Sequence, residues 1–203
     1  MIILMANQKG GVGKTTLTIL LANYLAQKGT PTHVIDLDVQ KSVVDNYKKA
    51  IDKGWSNELI QVVDGQTVPD FKKLNQEGKV VIIDLPGRLD NKAMQSLIKK
   101  ADAVLCPFIF DPITFKSTLV FAQLCTVLMP DDFRKKMFFL PNKVKSSVKL
   151  ENEKEIHKIL KQFGKITPRI PDLVCFQRIP SFSINEEQAN RSKNAFDYLM
   201  YNL

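Results

Sequence analysis

Residues Lys9-Gly10-Gly11-Val12-Gly13-Lys14-Thr15-Thr16 lie between an apolar run, Ile2-Ile3-Leu4-Met5, and a segment with helical spacing that carries Leu17, Leu20, Leu21, Tyr24 and Leu25. A strand must hand over to a helix across that turn. Glycines let backbone N–H groups point inward and surround an anion without β-carbon clashes. A helix beginning near Lys14 adds its dipole and free amides at the same point. The pattern matches the phosphate-loop template G-x-x-x-x-G-K-[ST] from Gln8 onward, with Gln8 in place of the first glycine. Lys14 is then placed to reach β- and γ-phosphates, and the Thr15 hydroxyl to ligate Mg²⁺. A ligand-free strand-to-helix turn would not require a lysine followed by two threonines.

The rest of the chain extends the alternation. The runs at Val34-Ile35, Leu59 to Val63, Val80 to Leu85, Ala103 to Ile109, Met137 to Leu140 and Ile166 to Ile170 are short and mostly continuous, as in strands buried on both faces. Between them, helical segments are expected at 41–53, 68–77, 91–100, 113–128, 150–163 and 186–201. The first helix ends at Lys28-Gly29, where Gly29 suits a left-handed C-cap. Alternating strands and helices imply right-handed crossovers and a doubly wound, mostly parallel α/β sheet with helices on both faces. With 203 residues and no linker or repeat, the chain reads as one domain, residues 1–203.

Two strands end in acids. Val34-Ile35-Asp36-Leu37-Asp38 and Val80-Val81-Ile82-Ile83-Asp84 place carboxylates at the carboxyl ends of buried strands, where ligands bind in open α/β sheets. Such groups are costly there unless they meet a cation, water or donors. Either Asp36 or Asp38 can instead cap the helix that follows.

Composition excludes some classes. The N-terminus has no basic segment ahead of its short apolar run, and no stretch approaches the roughly 20 apolar residues of a membrane helix, so a cytosolic protein is expected. Cys106, Cys125 and Cys175 are dispersed among apolar neighbours and read as reduced core residues. Residues 134–203 carry 14 basic and 7 acidic side chains, against 15 and 14 in residues 1–133. A basic C-terminal third fits a salt-sensitive attraction to nucleic acid, or solubilising helix faces.

Lys9-Gly10-Gly11-Val12-Gly13-Lys14-Thr15-Thr16 resembles the deviant Walker A motif of the ParA/MinD superfamily of ATPases, whose hallmark lysine corresponds to Lys9. The resemblance implies an ATP- and Mg²⁺-dependent P-loop fold in which Lys9 of one protomer reaches the nucleotide of its partner in a homodimer. It also implies ATP contacts from Lys9, Gly10, Gly11, Val12, Gly13, Lys14, Thr15 and Thr16. Asp36-Leu37-Asp38-Val39-Gln40 is similar to the family's D-x-D-P-Q, with Val39 for proline. That similarity assigns Asp38 to the attacking water and Asp36 to the neighbourhood of the Mg²⁺ shell. Asp84-Leu85-Pro86-Gly87 is similar to the Walker B segment, implying that Asp84 holds Mg²⁺ through water, and that Pro86 and Gly87 let a loop pass close to the γ-phosphate. Lys9, Lys14 and Asp38 are thus the catalytic candidates, and Thr15, Asp84 and Asp36 the metal candidates.

Later segments carry weaker likenesses. Asn142 stands where the family often has an asparagine that reads the adenine edge and is the candidate for that contact, with a turn-forming asparagine after Pro141 as the alternative. Thr167 to Asp172 resembles a base-contacting loop in one of two registers, Ile170-Pro171-Asp172 or Pro168-Arg169; Pro171 is the candidate contact. Arg191 and Lys193, read as preceding the body of the last helix, with Arg178 and the lysines at 143, 145 and 149, match basic residues that grip DNA without sequence preference.

Among relatives, the chain resembles the small ParA-type partition proteins. Asp197 to Leu203 lacks the cationic face of a MinD-like membrane helix. The cysteines supply no cluster-binding pair. The phosphate loop begins within ten residues of Met1, so no operator-binding extension is expected. The expected function is a slow ATP hydrolase of the bacterial cytoplasm that, as an ATP-bound dimer, binds double-stranded DNA on the nucleoid and segregates a plasmid, chromosome or mobile element. Hydrolysis would be stimulated by a cargo-bound, ParB-like partner, with no membrane involved. The alternatives are a MinD-like or other protein-positioning ATPase, and a metabolic phosphoryl-transfer enzyme.

Overall fold

A computed structural model describes residues 1–65, 78–88, 92–145, 152–177 and 182–203. Seven strands, β1 (Ile2–Met5), β2 (Thr32–Asp36), β3 (Ile60–Asp64), β4 (Val80–Asp84), β5 (Ala103–Phe108), β6 (Met137–Pro141) and β7 (Lys165–Ile166), form one sheet in the order β3-β2-β4-β1-β5-β6-β7. Every pairing is parallel. The described helices are α1 (Lys14–Gln27), α2 (Ser42–Asp52), α3 (Lys92–Lys100), α4 (Pro112–Leu128), α5 (Phe133–Lys136), α6 (Glu153–Leu160), α7 (Val174–Gln177) and α8 (Glu186–Tyr201). The helix expected at 68–77 lies outside the described residues. The short helices α5 and α7 were not expected.

Two apolar clusters cover the two faces of the sheet. One gathers Leu17, Leu20 and Leu21 of α1 with Ala195, Phe196 and Leu199 of α8; the other gathers Leu97 and Ile98 of α3 with Phe121 and Cys125 of α4. Helix α1 is buried nearly all round because it lies between the sheet and α8, which explains its almost unbroken apolar sequence from Leu17 to Ala26. The Tyr24 hydroxyl donates to Asp197 at 2.6 Å and its ring packs on Phe196 at 5.5 Å, tying α1 to α8. Gly29 has φ 74°, the left-handed C-cap that its place after Lys28 predicts.

Two strands depart from the fully buried pattern. Strand β3 is at the sheet edge and exposes Gln61, Val63 and Asp64, so it is half solvated although its sequence reads as continuous. The strand expected over 166–170 is cut to Lys165–Ile166. Beyond it the Thr167 amide still donates to Phe139, but the next bond to β6 comes from Ile170 to Pro141 at 2.8 Å, one residue later than the regular two-residue step, so the ladder slips there.

Candidate nucleotide site

The order of strands brings the two acidic ends side by side. Asp84 is in register with Asp36 on β2 and with Met5 on β1, so the phosphate loop leaving β1 starts beside both carboxylates. Between β1 and α1, Gly11 (φ 78°) and Gly13 (φ 97°) adopt left-handed backbone. A β-carbon at Gly13 would overlap the Asn142 side-chain amide, so both conformation and space require glycine there.

The loop is held by side chains from distant strands. The Asn7 side chain, fully buried, donates to the Pro107 carbonyl (2.8 Å) and to Thr118 (3.0 Å), while its oxygen accepts from the Lys9 amide at 2.9 Å. Lys14 Nζ donates to the Lys9 carbonyl (3.3 Å), and Asn142 Nδ2 to the Val12 carbonyl (2.8 Å). Gly87 passes close beneath the loop: a β-carbon on it would stand 3.4 Å from the Gln8 carbonyl oxygen.

Thr15 Oγ1 donates to Asp84 Oδ2 at 3.2 Å, while Asp84 Oδ1 is buried with no hydrogen-bond partner. Burial first, and then the neighbouring Asp36 charge, push the Asp84 carboxyl up to about 8, against the pull of Lys14 and Thr15. A buried carboxylate with one orphaned oxygen, beside a hydroxyl at a helix N-terminus, is a donor set that fits a hard cation such as Mg²⁺. The residues present therefore fit the metal that the fold implies.

Asp36 is engaged otherwise. Its oxygens accept from the amides of Asp38 (3.0 Å), Val43 (2.9 Å) and Val44 (3.2 Å), which caps the first turn of α2. Burial raises its pKa, and those three amides and Lys41 work in the opposite direction. Asp38 is half-buried just beyond the strand, and its Oδ1 accepts from the Gln40 amide at 3.0 Å. Lys9 is half-buried at the loop rim, on the side of Asp111, the N-cap of α4.

Beside the loop, a cavity of about 300 Å³ is lined by Gly13, Thr16, Asn142, Pro171 and Asp172, among others. Val144 pairs with Pro171 in an isolated parallel bridge, which fixes the cavity wall. Ile170, Pro171 and Asp172 lie along this wall, whereas Arg169 is exposed and faces Glu153 at 3.9 Å.

Arg191 and Lys193 are exposed within α8, not ahead of its body, because Asn185 and Gln188 form a capping box that starts the helix at Glu186. Two residues apart, they point to different flanks of the helix. Arg178 lies outside the described residues. Sequence reasoning missed Asn7 and also Thr118, since no motif links residues more than 100 positions apart.

The sequence profile of the CobQ/CobB/MinD/ParA nucleotide-binding domain matches residues 3–185. Protein ParA of Rhizobium radiobacter is 30% identical over 115 residues, which are 52% of this chain and 47% of that protein. The chain thus spans about half the length of that curated relative. Among solved structures, a putative plasmid partition protein from Borrelia burgdorferi B31 bound to AMPPNP superposes with a TM-score of 0.77 at 18% identity, covering 100% of this chain and 99% of that one. The MinD cell division protein of Aquifex aeolicus gives 0.71 at 18% identity, covering 98% and 96%. At that identity the likeness concerns the fold. Phosphate loop, strand-end acids, sheet order and the profile spanning most of the chain together make this protein a member of the ParA/MinD superfamily of nucleotide-binding domains, close to its ParA-type members.

Proposed function

We propose that the chain is a ParA-type switch ATPase that binds ATP with Mg²⁺, pairs with a second copy around the nucleotide, attaches to double-stranded DNA without sequence preference, and hydrolyses ATP slowly until a cargo-bound, ParB-like partner stimulates it. The observation that carries this reading is the group formed by Lys14, Thr15 and Asp84 at the mouth of the glycine loop. A buried lysine, a hydroxyl and an orphaned carboxylate oxygen meet where the loop amides gather. Those groups suit a triphosphate and its cation better than any neutral ligand.

In this reading the amides of Gly10 to Thr16 and the Lys14 ammonium hold the β- and γ-phosphates, while the base enters the cavity between Asn142 and Pro171. Thr15 and Asp84 would hold Mg²⁺, Asp84 through water, with Asp36 near the same shell. The ion, when bound, neutralises charge on the phosphate oxygens. Asp38 orients the attacking water, and Lys9 places a positive charge against the partner's phosphates, as an arginine finger does. Arg191, Lys193 and Arg178 are the DNA contacts, acting on phosphates. The site of action would be the bacterial cytoplasm, on the nucleoid when ATP is bound.

The separation of Arg191 and Lys193 on two flanks of α8 favours a second reading, a protein-positioning ATPase that does not use DNA. One experiment decides between them: binding to arbitrary double-stranded DNA with ATP, with ADP and without nucleotide, at two salt concentrations, alongside a light-scattering mass. ATP-dependent dimers with salt-sensitive, sequence-indifferent binding support the partition switch. ATP-dependent dimers without DNA affinity support protein positioning.

A further inference from the structure

Among the described non-glycine residues, two have positive φ, Lys41 (50°) and Lys143 (54°), and both border the nucleotide site. Lys41 begins α2, where its Nζ is ion-paired with Asp64. Lys143 follows Asn142 at the end of β6, and its exposed side chain turns back to donate from Nζ to the Gly11 carbonyl at 2.9 Å. Asn142 donates to the next carbonyl, that of Val12, at 2.8 Å. Two consecutive side chains thus grip two consecutive carbonyls about 130 positions away in the chain.

A trans peptide points its N–H opposite to its C=O. Fixing the Gly11 and Val12 carbonyls therefore fixes the directions of the Val12 and Gly13 amides, while Lys14 does the same for Gly10 by holding the Lys9 carbonyl. A lysine in left-handed backbone is disfavoured, and such conformations persist where the surroundings over-determine them. Here the neighbouring Val144 amide donates to Ile170 and Val144 pairs with Pro171, which anchors the turn on its far side.

We infer that Lys143 is a positioning residue of the nucleotide site: with Asn142 it clamps the phosphate loop from outside and sets its amides for phosphate before nucleotide arrives. The inference rests on the nucleotide-binding reading. Its first test is nevertheless made without nucleotide.

Amide hydrogen exchange of the apo protein is compared for wild type, Lys143→Met, Lys143→Arg and Lys143→Gly, followed by ADP affinity by calorimetry. Lys143→Met removes the donor, Lys143→Arg keeps it, and Lys143→Gly removes it while accommodating the left-handed turn. Exchange at Val12 and Gly13 is expected to quicken about tenfold in the Met and Gly variants, the effect of losing one charge-assisted hydrogen bond. ADP affinity should fall by a similar factor, and the Arg variant should regain most of both. Unchanged exchange in the Met and Gly variants overturns the clamp, even if ADP affinity falls, since that combination means direct contact of Lys143 with the ligand. Failure of the wild type to bind ADP overturns the nucleotide reading instead, with the apo exchange still deciding whether the clamp exists.

Discussion

The Thr15 hydroxyl and the Asp84 carboxylate meet at 3.2 Å across the junction of α1 and β4, with the second Asp84 oxygen buried and unpaired. The carboxyl is raised from 3.8 to about 8, by burial first and by Asp36 second. Between those two values the folded chain keeps a proton that the unfolded chain releases. Stability of the apo protein therefore falls as pH rises from about 4 to about 8 and levels off above, with a slope from this group of up to ~1.4 kcal/mol per pH unit. Asp84→Asn should flatten that part of the profile and be more stable than wild type at pH 8 without metal. Urea titrations of both proteins at several pH values check this; parallel profiles would show that Asp84 is not the buried acid described.

Gly13 combines φ 97° with no room for a β-carbon against Asn142, whereas Gly29 has φ 74° and open space around it. Gly29→Ala should cost about 1 kcal/mol, the penalty of left-handed backbone alone. Gly13→Ala should cost more and should also weaken nucleotide binding, because the Asn142 bond to Val12 must break to admit the methyl group. Melting curves and nucleotide titrations of the two variants make the comparison, and equal losses would mean that Asn142 yields freely.

Helix α8 depends on its start. The Asn185 side chain accepts from the Gln188 amide at 2.9 Å, and the Gln188 side chain accepts from the Asn185 amide at 2.8 Å. Asn185→Ala should cost about 1 kcal/mol. Nucleotide affinity should stay within a few-fold of wild type, since Asn185 itself does not line the cavity, which α8 borders through α1 and through the Gln188 bond to the Cys175 carbonyl beside Phe176. Denaturation midpoints at constant m-value measure the first effect, and a nucleotide titration the second.

Much of this was legible from residues alone. The apolar runs located all seven strands because parallel strands are buried on both faces, and the glycine loop located the site because no other residue accepts φ near 97° at Gly13. Two strands were misread for opposite reasons: β3 is apolar yet lies on the edge, and the β7 ladder slips by one residue between Thr167 and Ile170, where hydropathy alone runs on. The bracing of the loop was hidden for a different reason. Asn7, Asn142 and Lys143 act through one or two hydrogen bonds to residues a hundred or more positions away, and a local pattern carries no trace of such a partner. Asn142, read for adenine, also gives one of its two amide N–H groups to the Val12 carbonyl.

Lys14 is buried against the loop and Lys9 stands at its rim. Lys14→Ala should therefore abolish nucleotide binding by the monomer. Lys9→Ala should leave monomer affinity within a few-fold but reduce ATP-dependent dimerisation and turnover by an order of magnitude or more, the scale of a charge supplied in trans. Equilibrium binding with a fluorescent nucleotide, and light scattering with ATP, separate the two lysines. Normal dimers and turnover without Lys9 would remove it from the interface.

Asp38 differs from both neighbouring acids. Asp36 is spent on three amides and Asp84 is paired with Thr15, whereas Asp38 is half-buried and, among the described residues, its side chain accepts from the Gln40 amide alone, in a local turn. Of the three, it is therefore the carboxylate proposed to orient the attacking water. Asp38→Ala should leave ATP affinity within a few-fold, because the phosphates are held by the loop, and should lower the hydrolysis rate about 100-fold or more, the usual contribution of a positioned acid or base. The variant would then persist as the ATP-bound dimer, and dilution after ATP loading would release it far more slowly than wild type. Light scattering and phosphate release, followed on the same sample, read both quantities. Hydrolysis at the wild-type rate would transfer the water-orienting role to another group.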